Sequence, residues 1–371
     1  MEEETSENRH TLKKRRVVTD MFMHDHEKAM EVFRKGTVIP ATPLALDEDK
    51  HFDEDSQRLL MRYYLHSGAG GIATAVHSTQ FSIREHGLFE KVISVVSEEI
   101  DAHEEKYGKN IFKVCGVCGP IEQAVKEAGI AKEKGFDAVL VSPGGLKGYS
   151  NEYLLERTAA IADVLPVIGF YLQPAVGGRI LPYEYWRKMA DIPGVIGIKC
   201  ASFGRYTTCD VMRAVVDSPR CDEITMYTGN DDNIVSDFLS VYKFGEKEKR
   251  FEGGLLGHWC IWTKKAVELL SCVKDFRATG KGYEFLSAAG PAITDMNSAV
   301  FDSVNSFAGC ISGIHEVLRR QGLMKNILCL DEIEKLSPGQ AEEITRVMES
   351  YPQFTDDDFV KENIEKWKTQ V

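Results

Sequence analysis

The sequence has no apolar run close to the ~18–20 residues that a membrane-spanning helix needs. Its acidic start, Met-Glu-Glu-Glu-Thr-Ser, is not followed by the apolar stretch of a secretory signal. Basic residues are also in the minority, because 45 lysines and arginines stand against 57 aspartates and glutamates and the net charge is −12. This balance argues against a dedicated nucleic-acid surface. We therefore expect neither a membrane nor a nucleic acid as a partner.

Recognisable metal-binding or disulfide spacing is missing as well. The nine cysteines are odd in number and irregularly spaced, which favours reduced thiols and a cytoplasmic location. Cys115 and Cys118 fall in one predicted strand, where alternation would turn them to opposite faces. No His-x-x-x-His pattern is present. We predict no metal and no other cofactor.

The sequence does contain one unit that is repeated eight times. Short apolar runs rich in β-branched residues recur, most of them about 30 residues apart, and each is followed by a stretch with helical spacing of apolar residues. Runs that are apolar throughout are typical of parallel strands covered on both faces. The runs are Gly36–Leu44, Ile72–His77, Phe112–Val117, Ala138–Ser142, Val167–Leu172, Val195–Cys200, Ile224–Thr228 and Phe251–Leu256.

Eight such units in roughly 250 residues predict an α/β fold, a (β/α)8 TIM barrel. The rival is a doubly wound open sheet, but no Gly-x-Gly-x-x-Gly follows the first run. We assign residues 1–35 to an N-terminal extension, 36–279 to the barrel and 280–371 to a C-terminal helical region. In the extension, Met21–Arg34 reads as a helix that could plug the bottom of the barrel. The C-terminal region, expected on the barrel's flank or in an oligomer interface, reads as helices at Thr294–Phe307, Ile311–Gln321, Pro338–Ser350 and Asp356–Lys368.

In a TIM barrel the chemistry lies at the carboxyl ends of the strands. The sixth run ends in Lys199, where desolvation would lower the pKa of the lysine and free an amine that can form a Schiff base with a ketone. The alternative is a lysine paired with an acidic neighbour. The fifth run ends in Tyr171, about one strand spacing (~5 Å) away, where a phenol could shuttle protons. The alternative is a core aromatic.

Two other strand ends carry groups suited to holding a substrate. The second run ends in His77, Ser78 and Thr79, whose hydroxyls and backbone amides can bind a carboxylate. After the seventh run, Gly229 permits close backbone approach and Asp231 can accept hydrogen bonds from substrate hydroxyls, although an aspartate there could equally cap a helix.

Three further residues complete the candidate site, and His77 has additional possible roles. We include Thr42, at the end of the first run, among the substrate-binding residues. His77 and His258 could each hydrogen-bond a substrate, act as a base near neutral pH, or form a structural hydrogen bond with the backbone. Trp259 follows the eighth run and could form a stacking wall for the substrate or a plug at the top of the barrel.

The order and spacing of these residues resemble the dihydrodipicolinate synthase / N-acetylneuraminate lyase family of pyruvate-dependent class I aldolases. The resemblance extends over about 36–322 and is carried by Tyr171-x-x-Pro174, by Gly-Ile-Lys199 some 28 positions later, and by Gly229-x-Asp231-Asp232. It implies that Lys199 is the Schiff-base lysine and Tyr171 the proton shuttle, with Ser78 and Thr79 as the clamp for the pyruvate carboxylate. It also implies that Gly229, Asp231 and Asp232 hold a hydroxylated substrate end, and that the chain forms a homodimer or homotetramer.

The sequence departs from the family at several strand ends. The family's Gly-Thr-Thr-Gly-Glu reads His-Ser-Thr-Gln-Phe over 77–81, and Gly144-Gly145 replaces the Tyr-Tyr of the lysine-pathway synthases. Ala175-Val176 stands where those synthases carry an arginine for the second substrate, with Tyr149 and Arg179 as the nearest substitutes. The bulky His258-Trp259 pair occupies a position of small residues. We expect the carboxylate clamp to survive and the pocket for the second substrate to be rebuilt.

Three functions remain open from the sequence, and the expected partner is a small-molecule 2-keto acid substrate. The first is a lyase or aldolase that works through a pyruvate-derived Schiff base on Lys199. The second is an imine-dependent dehydratase or deaminase of a 2-keto-3-deoxy sugar acid or a related 2-keto acid. The third is a non-catalytic family member, against which Lys199 and Tyr171 together argue, since a purely structural barrel needs neither.

Overall fold

The computed structural model describes residues 24–369. Its centre is one sheet of eight parallel strands, which are β1 (Val38–Pro40), β2 (Gly71–Thr74), β3 (Phe112–Val117), β4 (Ala138–Val141), β5 (Val167–Leu172), β6 (Val195–Ala201), β7 (Thr225–Thr228) and β10 (Phe251–Leu256). Their order across the sheet is β1-β10-β7-β6-β5-β4-β3-β2. A parallel bridge between Ala41 and Ala73 joins the two outermost strands and closes the barrel. The predicted TIM barrel is therefore confirmed. A separate hairpin consists of β8 (Tyr242–Phe244) and β9 (Lys247–Lys249).

Helices cover the outside of the barrel. The first of them, α2, begins where the Asp53 carboxylate accepts the backbone N–H of Ser56 and ends at Gly68, whose φ of 96° is a left-handed conformation that suits glycine. The helices of the barrel are α2 (Glu54–Ser67), α3 (Phe89–Tyr107), α4 (Ile121–Glu133), α5 (Asn151–Ala162), α6 (Tyr183–Asp191), α7 (Arg205–Val216), α8 (Ile234–Leu239) and α9 (Thr263–Thr279).

Both faces of the strands are buried, which explains why the runs are apolar throughout. In β5, Ile168 and Phe170 belong to the core inside the barrel, whereas Val167 and Tyr171 belong to the core between the strands and the helices. This alternation decides which side chains reach the site.

A short helix, α1 (His26–Arg34), closes the bottom of the barrel. The Phe33 ring stacks on Phe112 and on Tyr227, each with 4.6 Å between ring centroids, and the Tyr227 hydroxyl donates to the Phe33 carbonyl at 2.8 Å. The predicted plug is present. Residues 1–23, which hold the first three positions of the predicted helix and most of the extension, lie outside the described residues.

The C-terminal region is helical, but its first helix begins earlier than predicted. It runs through Pro291 and ends at a turn in which Asp302, Ser306 and Phe307 adopt left-handed φ angles of 55°, 56° and 68°. The predicted end at Phe307 is wrong because the Asp302 carboxylate accepts the Asn305 amide and the Gly309 N–H, which fixes a turn instead of a further helical turn. The helices are α10 (Tyr283–Val300), α11 (Cys310–Arg320), α12 (Gln340–Ser350) and α13 (Asp357–Lys368). Between residues 24 and 369, no helix is both long and apolar enough to cross a membrane.

Candidate active site at the barrel mouth

A cavity lies at the carboxyl ends of the strands, where the fold places catalytic groups. It has about 580 Å³ of space not filled by atoms, part of which is open solvent at the mouth. Its floor and walls come from the strand ends, and its roof comes from the C-terminal region. The lining side chains that the sequence singled out are His77, Ser78, Lys199 and Asp231, with Gly229 beneath them.

Lys199 is the central group of this cavity. Its side chain rises from β6 with 93% of its surface covered, and the amine lies 4.3 Å from the centroid of the Phe170 ring. Burial lowers the pKa of the Lys199 amine to about 8, while the negative charge of Asp231 acts to raise it. A Cβ at Gly229 would sit only 2.6 Å from Lys199 Cε, so the glycine makes room for the lysine stem. Among the described residues no carboxylate forms an ion pair with the amine, so the predicted alternative of a structural salt bridge does not hold.

Asp231 is the acidic counterpart of Lys199. Its Oδ1 accepts the backbone N–H of His258 at 2.9 Å, and its carbonyl accepts the Asn297 amide at 2.6 Å, so its position is fixed from both sides. Burial raises the pKa of the Asp231 carboxyl to about 7, although the hydrogen bond from His258 and the charge of Lys199 act to lower it. A carboxyl with a pKa near neutral can both take and return a proton at physiological pH.

The wall opposite Lys199 is the turn after β2. The Ser78 hydroxyl donates to the Ala41 carbonyl at 2.6 Å, which leaves its lone pairs free, and the backbone N–H groups of His77 and Ser78 donate to no other described residue. Burial lowers the pKa of His77 to about 4, and the charge of Lys199 lowers it further. The His77 ring is therefore neutral near pH 7 and offers one N–H and one acceptor nitrogen.

Thr42 and Thr79 shape this turn from behind. The Thr79 hydroxyl donates to the Thr42 carbonyl at 2.7 Å and accepts the Val76 N–H at 3.2 Å, so it is already committed to the fold. The Thr42 hydroxyl is fully buried and finds no partner among the described residues. Neither threonine lines the cavity, in contrast to the predicted direct contact with substrate.

The family model for the Dihydrodipicolinate synthetase family matches residues 34–245, more than half of the chain. The chain belongs to this family. The resemblance read from the strand ends is thereby confirmed. Two similar relatives are the N-acetylneuraminate lyases of Salmonella typhimurium and Citrobacter koseri, each 24% identical over 208 residues, or 55% of this chain. The match covers 65% of the length of those relatives.

Solved structures show the same fold. The dihydrodipicolinate synthase from Oceanobacillus iheyensis superposes with a TM-score of 0.69 at 16% identity and covers 89% of this chain and 100% of its own. The N-acetylneuraminate lyase from Fusobacterium nucleatum gives a TM-score of 0.66 at 13% identity, with coverages of 87% and 100%. At these identities the likeness establishes the barrel and leaves the reaction to be argued from the site.

In this member of the family, Tyr171 does not face the cavity, and its predicted position is wrong. The register pairs Phe170, not Tyr171, with Lys199, so Phe170 lies beneath the amine and Tyr171 points outward. The Tyr171 ring stacks on Trp186 at 5.2 Å between centroids, and burial raises the pKa of its hydroxyl. The spacing of Tyr171-x-x-Pro174 fits the family, but a shift of one residue in a strand turns a side chain to the other face.

Trp259 and His258 are also outside the cavity. The Trp259 ring is fully buried between the barrel and its helices, stacked on Phe238 at 5.9 Å. The prediction of a substrate wall is wrong, and so is the alternative of a plug at the top of the barrel, because the ring belongs to the core between the strands and the helices. His258 contacts Asp231 through its backbone, and burial lowers the pKa of its imidazole to about 4.

The residues that form the roof of the cavity were not predicted from the sequence. Phe203 follows β6, and its ring meets Phe307 edge-to-face at 5.7 Å; both residues have left-handed backbones, with φ angles of 52° and 68°. Phe301, Cys310 and Ile314 complete this roof from the C-terminal region. The positive φ angles have no sequence signature, and the C-terminal residues lie far from the strand ends along the chain.

At the opposite end of the barrel, His24, His26 and Asp137 bring potential metal-ligand atoms within 4.8 Å of one another. Hydrogen bonds account for this arrangement: His24 Nε2 lies 2.8 Å from Asp137 Oδ1, His26 Nδ1 lies 2.6 Å from the same oxygen, and His24 Nδ1 lies 2.9 Å from Glu104 Oε2. The cluster ties the start of α1 to the barrel and takes no part in the chemistry at the mouth.

Proposed function

We propose that this chain is a Schiff-base-forming lyase that acts on a 2-keto acid through Lys199. The observation that supports it is a buried amine, with a lowered pKa and no ion-pair partner among the described residues, facing the cavity at the barrel mouth. Near pH 7–8 a useful fraction of Lys199 is uncharged and nucleophilic. The membership of the family and the lyase names of its relatives agree with this reaction class.

The reaction begins when the Lys199 amine adds to the keto carbon, and loss of water from the carbinolamine gives a protonated imine. When the bond between C3 and C4 breaks, its electron pair moves into the imine and forms an enamine, while the C4 hydroxyl gives up its proton and becomes a carbonyl. Protonation at C3 and hydrolysis then release pyruvate and restore the free amine. The imine thus serves as the electron sink.

In this proposal Asp231 transfers the protons, because Tyr171 lies outside the cavity. The Asp231 carboxyl shares the cavity with Lys199, and burial places its pKa at about 7. It can accept the C4 proton and return a proton to C3. This assignment extends the role of Asp231 predicted from sequence, which was to hold a substrate hydroxyl.

The carboxylate of the 2-keto acid fits the turn after β2. The two unpaired backbone N–H groups of His77 and Ser78 supply donors on this wall, whereas the proton of the Ser78 hydroxyl is already donated to the Ala41 carbonyl. Thr42 and Thr79 then act indirectly by holding the turn in place. Gly229 keeps the space that the imine requires.

A screen of 2-keto-3-deoxy sugar acids tests this function, with pyruvate release scored against loss of water. We expect pyruvate release in the native protein and none in Lys199→Met, which keeps the length of the side chain without its amine. Lys274→Met is the matched control, because Lys274 is a second lysine whose pKa burial lowers, far from the cavity. Water loss without pyruvate would establish the dehydratase alternative, and turnover in Lys199→Met would contradict the proposal.

We further propose a cytoplasmic, homo-oligomeric enzyme that needs no metal or other cofactor. All nine cysteines are free thiols, as a reducing compartment would keep them. Every step above uses only side chains and backbone groups of the barrel mouth. The expected assembly is a homodimer or a homotetramer.

A further inference from the structure

We propose that a second cavity beside Lys199 binds the far end of the substrate, and that this end carries a hydroxyl or ammonium group and no negative charge. This inference rests on the proposed function and names the substrate class of the same site. We call the second cavity the vestibule. It is lined by His77, Gln80, Phe81, Ser82, Ala175, Val176, Ser306, Phe307, Ala308, Ile311, Asp331, Ile333 and Glu334.

The vestibule and the Lys199 cavity are neighbours. His77, Val176 and Phe307 line both cavities, so the two cavities adjoin at these three side chains. The vestibule has about 1,000 Å³ of space not filled by atoms. A molecule longer than pyruvate, held at Lys199 by its keto group, would extend past these three residues into the vestibule.

Gln80 supplies an unused hydrogen-bond donor in the vestibule wall. Its side chain is 4% exposed, and its Oε1 accepts the Leu330 N–H at 2.7 Å, which fixes the direction of the amide. Its Nε2 is buried and has no partner in the described part of the chain. A buried donor without a partner is costly, so its presence at a cavity points to a ligand acceptor.

Glu334 supplies an unused acceptor from another wall of the vestibule. Its Oε2 is buried and finds no hydrogen-bond partner in the described range. Burial raises the pKa of the Glu334 carboxyl to about 7, and the charge of Asp331 raises it as well. A hydroxyl or ammonium group in the vestibule would give this oxygen the donor that it lacks.

The charge of the vestibule excludes an anionic substrate end. No lysine or arginine is among its lining residues, whereas Asp331 and Glu334 are both acidic. A second carboxylate or a phosphate would meet two like charges and no counterion. The amide of Gln80 and the hydroxyls of Ser82 and Ser306 suit a neutral polar chain instead.

The wall that carries Glu334 is held in place by the barrel itself. Lys325 pairs with Asp53 at 2.8 Å, the Asn326 amide donates to the Leu46 carbonyl at 3.0 Å, and Gln80 accepts the Leu330 N–H. This wall lies beyond residues 34–245, the part that matches the family model. The vestibule therefore combines strand-end residues inside the family match with C-terminal residues that the match does not cover.

The test uses Glu334→Gln and Gln80→Glu, which keep side-chain size; Gln80→Glu also keeps the oxygen that Leu330 needs. We expect both to leave borohydride trapping of pyruvate on Lys199 unchanged and to raise KM for a long hydroxylated 2-keto acid by about tenfold or more, with little change in kcat. Glu332→Gln is the control, because Glu332 is exposed and does not line the vestibule.

A second arm compares 2-keto acids of equal length that end in methyl, hydroxyl, ammonium or carboxylate. We expect the hydroxyl or the ammonium compound to have the lowest KM, and which of the two leads identifies the natural group. If the methyl or the carboxylate compound had an equally low KM, or if Glu334→Gln left KM unchanged, the proposed role of the vestibule would be overturned. Calorimetric binding of the same acids to Lys199→Met, which cannot form an imine, gives the same comparison even if pyruvate is never trapped.

Discussion

The reactivity of Lys199 comes from its surroundings. A lysine with most of its surface covered, resting on the Phe170 ring and without an ion-paired carboxylate among the described residues, cannot keep its proton as easily as a lysine in water. Asp231 is close enough to affect the pKa of the amine but does not pair with it. The two groups therefore hold pKa values of about 8 and about 7, so both can change protonation state near neutral pH.

Two matched substitutions separate the roles of Asp231 and Tyr171. Asp231→Asn keeps the acceptor for the His258 N–H but cannot carry a proton, so we expect turnover to fall by about 10²–10⁴-fold, the usual range for a general acid–base group. Tyr171→Phe keeps the stacking on Trp186, and we expect turnover within about threefold of the native rate, since a group outside the site moves no proton. Steady-state kinetics on one substrate measure both, and the reverse pattern would restore the tyrosine as the proton shuttle.

The elements of the barrel were predictable because burial on both faces leaves a continuous apolar run. β3 and β5 begin and end where the sequence predicted, at Phe112–Val117 and Val167–Leu172. The sequence could not predict which side chains of β5 point into the barrel. Apolar residues on both faces of the strand remove the alternation of polar and apolar residues that would show it. Lys199 could be placed because it stands near the carboxyl end of its strand, next to the mouth, whereas a tyrosine is stable on either face of a strand.

The bottom of the barrel makes a pH-dependent contribution to stability through His24. Burial alone would lower the pKa of His24, but its hydrogen bonds to Asp137 and Glu104 outweigh this and raise it to about 9 from 6.5. A raised folded-state pKa stabilises the fold fully below about pH 6.5 and loses this effect as the pH rises through 9. We expect the free energy of unfolding to decrease between these values.

Denaturant unfolding at pH 6, 7.5 and 9 measures this dependence. His24→Gln should flatten the decrease and lower the stability most at pH 6. His86→Gln, which alters an exposed histidine, should follow the native protein. A native stability that is constant or rises from pH 6 to 9 would contradict the role assigned to His24.

Across the whole molecule, the candidate site lacks the groups that the resemblance assigns to a lysine-pathway synthase. Gly144 and Gly145 carry no side chain, and Arg179 donates to the carbonyls of Leu146 and Tyr149 instead of reaching the cavity. Tyr149 stacks on Tyr153 at 4.4 Å. The expected substitutes for the missing arginine and tyrosine are therefore both engaged elsewhere.

We therefore expect pyruvate to form the imine while condensation with aspartate semialdehyde is negligible. A charged second substrate without a matched cation loses several orders of magnitude in rate, by the general cost of leaving buried polar groups unpaired. Complementation of a bacterium that requires diaminopimelate measures this directly. We expect no growth, and rescue by this chain would refute the prediction.

Assembly is a further property of the whole molecule. The resemblance to the family implies that several copies of the chain associate, whereas single exposed side chains such as Ile180 and Tyr206, at 72% and 91%, do not by themselves mark an interface. We expect a homodimer or homotetramer, so light scattering at micromolar concentration should give two or four times 41.6 kDa. A mass of 41.6 kDa would count against it.

The roof of the site shows where prediction from the sequence ends. Phe301, Phe307 and Cys310 reach the cavity only because a turn at Asp302 redirects the chain over the mouth. This arrangement depends on contacts between distant segments, such as the Gln80–Leu330 hydrogen bond, which no local pattern encodes. The strand ends supplied Lys199, Ser78, His77, Gly229 and Asp231 correctly as cavity residues.

The most direct measurement is reductive trapping of the imine. The protein is incubated with pyruvate and borohydride between pH 6 and 10, digested, and analysed by mass spectrometry. We expect a reduced three-carbon adduct on the peptide that contains Lys199, with initial labelling rates that rise through about pH 8, because the free amine is the attacking form. The peptide with Lys113, a buried lysine that is ion-paired to Asp101, should stay unlabelled. An unmodified Lys199, or labelling that persists in Lys199→Met, would contradict the mechanism.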